Sequence, residues 1–141
     1  MNLNELTQRL IDIESVTGDE QELINFIESY LLDSGYKGNI FKDEGGIIVN
    51  APDSNPKIAL VGHLDTVPIH ESQKNYSDEE NIFGRGAVDM KAGVAVMIQT
   101  ILDERENVVG VFYTGEEGTP EQNGLNNLMG KLKEDLSLIH I

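Results

Sequence analysis

No cysteine occurs among the 141 residues. That excludes disulfides, thiolate metal sites and a cysteine nucleophile, so any metal must be held by histidine and carboxylates. Basic residues are scarce as well: ten Lys and Arg stand against twenty-five Asp and Glu, a formal net charge of -15. Such a surface repels phosphate and argues against a nucleic-acid partner. There is no long apolar run, and hence no expected membrane span. The first residues, MNLNELTQRL, lack the basic start and apolar middle of a secretory signal, which makes the cytoplasm the expected location. What remains is an ordinary globular composition, with 39% hydrophobic residues, fourteen Gly and four Pro. One domain usually takes about 100 to 200 residues, so a single core is expected.

Leu3, Leu6, Leu10 and Ile13 recur at helical spacing, and the pattern stops at the turn Ser15-Val16-Thr17-Gly18. A second helix is expected over residues 19–34, capped by Asp19 with Glu22 three residues on. Leu23, Ile27, Tyr30 and Leu31 form its buried stripe, and Gly35 ends it. Two short β-rich runs follow, residues 38–41 and 47–50, separated by Gly45-Gly46. Residues 57–61 read as a buried central strand after a Pro-Asp-Ser-Asn-Pro turn. Val94, Met97, Ile98, Ile101 and Leu102 make the stripe of a core-facing helix. Residues 108–113 read as another buried strand, and Leu125, Leu128, Met129 and Leu132 mark a last helix. Strands alternating with helices predict an α/β fold, a layered domain with a mainly parallel sheet and flanking helices.

In open α/β sheets ligands bind at the carboxyl ends of strands, so the residues just past each strand matter most. After residues 57–61 comes GHLDTVP, holding His63 and Asp65; after residues 108–113 comes TGEEGTP, holding Glu116 and Glu117. Between them lies GRGAVDMKAG, a Gly-rich loop carrying Asp89 into the third helix. Singly, each has an ordinary reading: a hydrogen-bonded histidine, a solvated glutamate pair, a loop that lacks the full dinucleotide fingerprint. Together they supply His, Asp and Glu, the ligand set for zinc or cobalt without cysteine. Two such ions about 3.5 to 4 Å apart are a known arrangement for amide hydrolysis. An Asp between the other two motifs can give one oxygen to each ion. Of two adjacent glutamates, one can bind metal while the other moves a proton. Arg85 and Lys91 are explained as surface charges, and His70 as a surface residue.

The three strings, in this order and spacing, resemble the N-terminal signature motifs of the M20 family of metallopeptidases and deacylases. The resemblance implies a zinc-peptidase-like catalytic domain with two divalent ions, Zn2+ or Co2+. It implies that His63 binds one ion, Asp89 bridges both and Glu117 binds the second. Asp65 would orient the His63 imidazole by accepting its second N–H. Glu116 would be the general base. The string EEGTPEQNGL is most similar to the branch that removes the succinyl group from N-succinyl-LL-diaminopimelate in lysine and diaminopimelate synthesis. Acetylornithine or acetyl-lysine deacetylation, and dipeptidase or carboxypeptidase activity, are the alternatives within the same chemistry. A non-catalytic binding protein is the alternative outside it. The partner implied is a small N-acyl amino acid, with a homodimer at full length.

Family members also carry a further metal-binding carboxylate, a lid domain and a distant C-terminal histidine, and no corresponding string is present here. The catalytic-domain portion is therefore expected over residues 1–135 as an N-terminal part of a longer protein. Residues 136–141, Leu-Ser-Leu-Ile-His-Ile, match a translation of a transposon-based sequencing adapter and are expected to be non-native, which makes His140 a poor candidate ligand.

Overall fold

The computed structural model describes residues 1–50, 58–70, 74–104 and 108–135. The expected tail at 136–141, with His140, and the turn at 52–56 lie outside the described residues.

Helix α1 spans Leu3–Asp12 and opens with a capping box. The Asn2 side chain accepts from Glu5 N at 2.9 Å, and the Glu5 carboxylate accepts from Asn2 N, also at 2.9 Å. Helix α2 spans Gln21–Asp33 and begins differently from expectation, because Asp19 does not cap it. Asp19 N instead donates to Val16 O, closing a turn through Gly18 at φ 95. Glu20 thereby falls at the N-cap, with αR backbone angles and no side-chain cap bond. The end of α2 does follow expectation. Gly35, at φ 77, donates to Leu32 O, and Tyr36 donates to Leu31 O. These two bonds form a Schellman motif, sealed by the burial of Leu31 and Tyr36.

Strands β1 (Asn39–Asp43) and β2 (Gly46–Asn50) form a hairpin. Strand β3 (Ile58–His63) is followed by a two-stranded ribbon, β4 (Tyr76–Ser77) with β5 (Ile82–Phe83). Helix α3 (Ala92–Asp103), strand β6 (Val108–Tyr113) and helix α4 (Leu125–Asp135) complete the order. The main sheet runs β1-β2-β6-β3.

The α/β class is as expected, but among the described residues the sheet is mixed rather than mainly parallel: β3 and β6 are parallel, while β1–β2 and β2–β6 are antiparallel. A two-residue link can join only antiparallel strands, and that fixes β1 against β2. Both faces of β2 and β6 are covered. Ile47, Val49, Val108 and Phe112 pack with α1, α2 and α3, whereas Ile48, Val109 and Val111 pack with Leu128 and Leu132 of α4. Each such buried aliphatic side chain contributes about 1.5 to 3 kcal/mol relative to exposure. Strand β3 departs from the expectation of a central strand. It lies at the sheet edge among the described residues, with Ile58 and Val61 55% and 46% exposed. Its far end is buried, and that end carries His63.

Two glycines separate conformational strain from crowding. Gly35 has positive φ but open space where a methyl group would point, whereas a Cβ on Gly46, at φ 134, would lie 2.1 Å from Phe112 O. Gly35→Ala should cost about 1 to 2 kcal/mol for the left-handed backbone alone. Gly46→Ala adds a main-chain clash where β2 meets β6, and its loss of stability should clearly exceed the Gly35 figure. Urea unfolding of the two variants checks this; equal losses would contradict it.

Candidate metal centre

Strands β3 and β6 run parallel with His63 opposite Tyr113, so the loops that follow them leave the sheet side by side. Two of the three motifs are thereby adjacent before any side chain is considered. Leu64 N donates to Tyr113 O at 2.8 Å, extending the pairing by one residue. Beyond Tyr113 the chain bends at Gly115, which has φ 72; a Cβ there would sit 2.0 Å from Gln122 O. Only glycine fits, and the bend aims the next two N–H groups back at Asp65.

Asp65 is fully buried. Its Oδ1 accepts from Glu116 N at 2.9 Å, and its Oδ2 accepts from Glu117 N at 2.9 Å and from the Thr17 hydroxyl at 2.8 Å. Burial alone would push this carboxyl's pKa up. Hydrogen bonds with His63, Thr17 and the two glutamate amides outweigh burial and hold it down at about 2.

His63 is buried beside it. Its Nδ1 lies 3.0 Å from the Asp65 main-chain oxygen and 3.5 Å from Asp65 Oδ1, while Nε2 lies 2.9 Å from Asp89 Oδ1. The resemblance implies the Asp65 carboxylate as acceptor of the ring's second N–H, whereas the structure gives that N–H to another oxygen of the same residue. The shorter contact is to the carbonyl of the same residue, and the carboxylate is engaged mainly with the glutamate loop. The Asp65 carboxylate, against the opposing effect of burial and with Asp89 assisting, raises the His63 pKa to about 9. Two carboxylates focused on one imidazole favour a positive charge at this point.

Asp89 comes from the Gly-rich loop. Gly86, at φ 76, starts a wide turn over Ala87–Lys91 in which Lys91 N donates to Gly86 O at 2.8 Å. Asp89 and Met90 leave helical geometry there, so the Asp89 side chain reaches His63 while remaining 72% exposed. It faces a cavity of about 390 Å³ whose wall includes Thr66, Val67, Arg85 and Glu117. A larger groove, about 680 Å³ between α1, the β4–β5 ribbon and the start of α3, is lined by no histidine among the described residues.

Lys91 is not the surface charge that the sequence suggested. It is 2% exposed, and its Nζ donates to Ile13 O at 2.6 Å. Burial lowers its pKa to about 8, opposed by Glu14 and Asp12. His70 is exposed, as expected.

One donor atom each from His63, Asp89 and Glu117 lies within 4.8 Å of the others. Two ligands at about 2.0 to 2.1 Å from a shared tetrahedral ion are separated by roughly 3.3 Å, so the 2.9 Å between His63 Nε2 and Asp89 Oδ1 is close to what coordination requires. The N and O donors suit zinc or a similar divalent ion. Glu116 is exposed and is not one of these three donors; its amide is fixed by Asp65, which places it immediately beside them. Of the five residues singled out in the sequence, His63, Asp89 and Glu117 bring side-chain donors together, and Asp65 lies against His63 and the Glu116 and Glu117 amides. Sequence reasoning missed two neighbours. Tyr113, the last residue of β6, has its ring 6.1 Å from that of His63; burial first, then Glu116, Asp65 and Asp89, raise its pKa. Thr17 reads in the sequence only as part of a turn.

Residues 59–141 match the family model described as Peptidase family M20/M25/M40. Among curated proteins, the chain is 30% identical to the succinyl-diaminopimelate desuccinylase of Corynebacterium glutamicum, over 95% of this chain and 40% of that protein. It is 28% identical to the LysW-lysine hydrolase of Deinococcus radiodurans, over 96% of this chain and 38% of that protein. Among solved structures, an M20 family metallo-carboxypeptidase from Sulfolobus solfataricus superposes with a TM-score of 0.71 at 18% identity, covering 96% of this chain and 35% of that one. The chain thus spans about 40% of the length of the curated relatives it matches.

The Asp65 pKa gives a signed prediction. A carboxyl held at about 2, against an ordinary 3.8, stabilises the fold above pH 3.8, and that stability is lost as pH falls from 3.8 towards 2. The shift corresponds to ~2 kcal/mol. Asp65→Asn lacks the titration and also turns an amide N–H towards existing donors. In metal-free buffer the stability gap between parent and variant should be wide at pH 5 and narrow by about that amount as pH approaches 2. A gap independent of pH would show that Asp65 is not the group responsible.

Proposed function

This chain belongs to peptidase family M20/M25/M40, and from that premise we propose that it is the N-terminal part of a metal-dependent amide hydrolase that removes the succinyl group from N-succinyl-LL-diaminopimelate. The observation that carries the reading is the convergence of His63, Asp89 and Glu117 donors within 4.8 Å, with Glu116 next to them and outside the set. The choice of substrate is supported by the 30% identity to a succinyl-diaminopimelate desuccinylase over nearly the whole chain.

In this reading His63 and Glu117 would each serve one divalent ion and Asp89 would be shared between the two. The donor set fits Zn2+ or Co2+. When bound, such ions polarise a scissile carbonyl and acidify water. Asp65 keeps the imidazole aimed, with Nε2 turned to the ion side, because its carbonyl receives the Nδ1 proton. Glu116 takes a proton from the attacking water as the C–O bond forms, then delivers it to the departing amine nitrogen as the C–N bond breaks. Succinate and a free diamino acid result. The work is done by a base and a polarised carbonyl, with no covalent nucleophile required. Among the described residues no helix is long and apolar enough to cross a membrane. A cytoplasmic enzyme, homodimeric at full length and acting in lysine biosynthesis, completes the proposal.

The similarity to a LysW-lysine hydrolase favours a second reading, hydrolysis of another amide-linked amino acid by the same centre. Assays of the full-length gene product on N-succinyl-LL-diaminopimelate, N-acetylornithine, N-acetyl-lysine and a dipeptide separate the two. Turnover should be fastest on the first, and none on it would remove the desuccinylase reading. Glu116→Gln should keep its metal content by elemental analysis and lose about 10² to 10⁴-fold in kcat. Unchanged kcat would take the proton-transfer role from Glu116.

A further inference from the structure

Residues 13–17, which link α1 to the turn before α2, touch all three motif loops. Ile13 O accepts the Lys91 ammonium from the loop that carries Asp89, at 2.6 Å. The Ser15 hydroxyl donates to Leu64 O at 2.8 Å, and Ser15 O accepts Thr66 N at 2.9 Å. Val16 and Thr66 form a parallel bridge, and Thr17 N donates to Thr66 O at 3.2 Å. Through these bonds the linker lies along the His63–Thr66 loop, joined to it by a single parallel bridge.

Thr17 also reaches the third loop. Its hydroxyl donates to Asp65 Oδ2 at 2.8 Å, the oxygen that also accepts Glu117 N. Its methyl lies against Gly118, where a Cβ would come within 2.8 Å of Thr17 Cγ2. One side chain thus contacts the carboxylate that anchors both glutamate amides and the residue immediately after those glutamates.

Resting on the metal-centre reading above, we propose that Thr17 is a positioning residue of that centre: its hydroxyl and methyl together hold the Asp65 carboxylate and the Glu116–Gly118 loop in the arrangement that places Glu117 among the metal donors. Among the described residues, Thr17 provides the one hydroxyl that donates to Asp65. Without it, a fully buried, charged acceptor keeps two main-chain donors and is free to tilt, carrying both glutamates with it. Groups that support metal ligands in this way typically change metal affinity by 10- to 100-fold when removed.

Thr17→Val keeps the shape of the side chain and deletes the hydroxyl; Thr17→Ser keeps the hydroxyl and deletes the methyl. The chain and both variants are titrated with Co2+ by calorimetry. Amide exchange at Glu116 and Glu117 is read by NMR in the metal-free state, and thermal melting is recorded alongside. Thr17→Val should bind Co2+ about 10- to 100-fold more weakly and exchange both amides faster, including when rates are compared at equal distance below each melting temperature. Thr17→Ser should recover most of both. Parent-like affinity and exchange in Thr17→Val would overturn the proposal, as would a Thr17→Ser variant no better than Thr17→Val. If no form binds Co2+, the metal-centre reading fails by itself and the exchange data decide Thr17: unchanged rates in Thr17→Val overturn its role, and faster rates reversed by Thr17→Ser support it.

Discussion

A carboxylate with no access to water must find donors inside the protein, and Asp65 finds them in two neighbouring loops. Its oxygens take the amides of Glu116 and Glu117 and the hydroxyl of Thr17, while its carbonyl takes the imidazole N–H of His63. An unpaired buried charge is among the costliest defects a fold can carry. Satisfying Asp65 therefore forces the β3 loop, the β6 loop and the α1–α2 linker together. The candidate site is a by-product of that requirement: once Asp65 is satisfied, His63 and Glu117 have little choice about where they stand.

The rest of the fold supplies the platform. Parallel pairing of β3 and β6 ends both strands at the same level, and burial of β6 on both faces makes that level rigid. The third motif arrives separately, on a loop fixed to the end of α1 by the buried Lys91 ammonium. A cation at a helix C-terminus meets unpaired carbonyls and the negative end of the helix dipole, which compensates part of the cost of burying it. The lowered Lys91 pKa shows that burial still dominates.

Much of this is legible in the sequence, for identifiable reasons. Periodicity finds α1, α2, α3 and α4 because each buries one stripe, and the three motif strings single out residues that the structure brings close together. Features set by tertiary contact are not legible in the same way. An apolar run such as residues 57–61 does not reveal how many neighbours its strand has, and among the described residues β3 stands at an edge. The strand–helix–strand pattern predicts parallel pairing for β3 and β6 but says nothing of a hairpin that inserts β2 beside β6. Asp19 looks like a cap because sequence spacing ignores the turn that uses its amide. Lys91 looks like a surface charge because its acceptor, Ile13 O, is 78 residues away. Thr17 is hidden for the same reason: its partner is 48 residues on, in another motif.

The most direct test of the metal centre is an anomalous difference map from crystals of this chain soaked in Zn2+ or Co2+. A peak should appear about 2.0 to 2.2 Å from His63 Nε2 and from carboxylate oxygens of Asp89 and Glu117, with the hydrogen bond between His63 and Asp89 replaced by coordination. A map with the His63–Asp89 hydrogen bond intact and any anomalous peak lying elsewhere would contradict it.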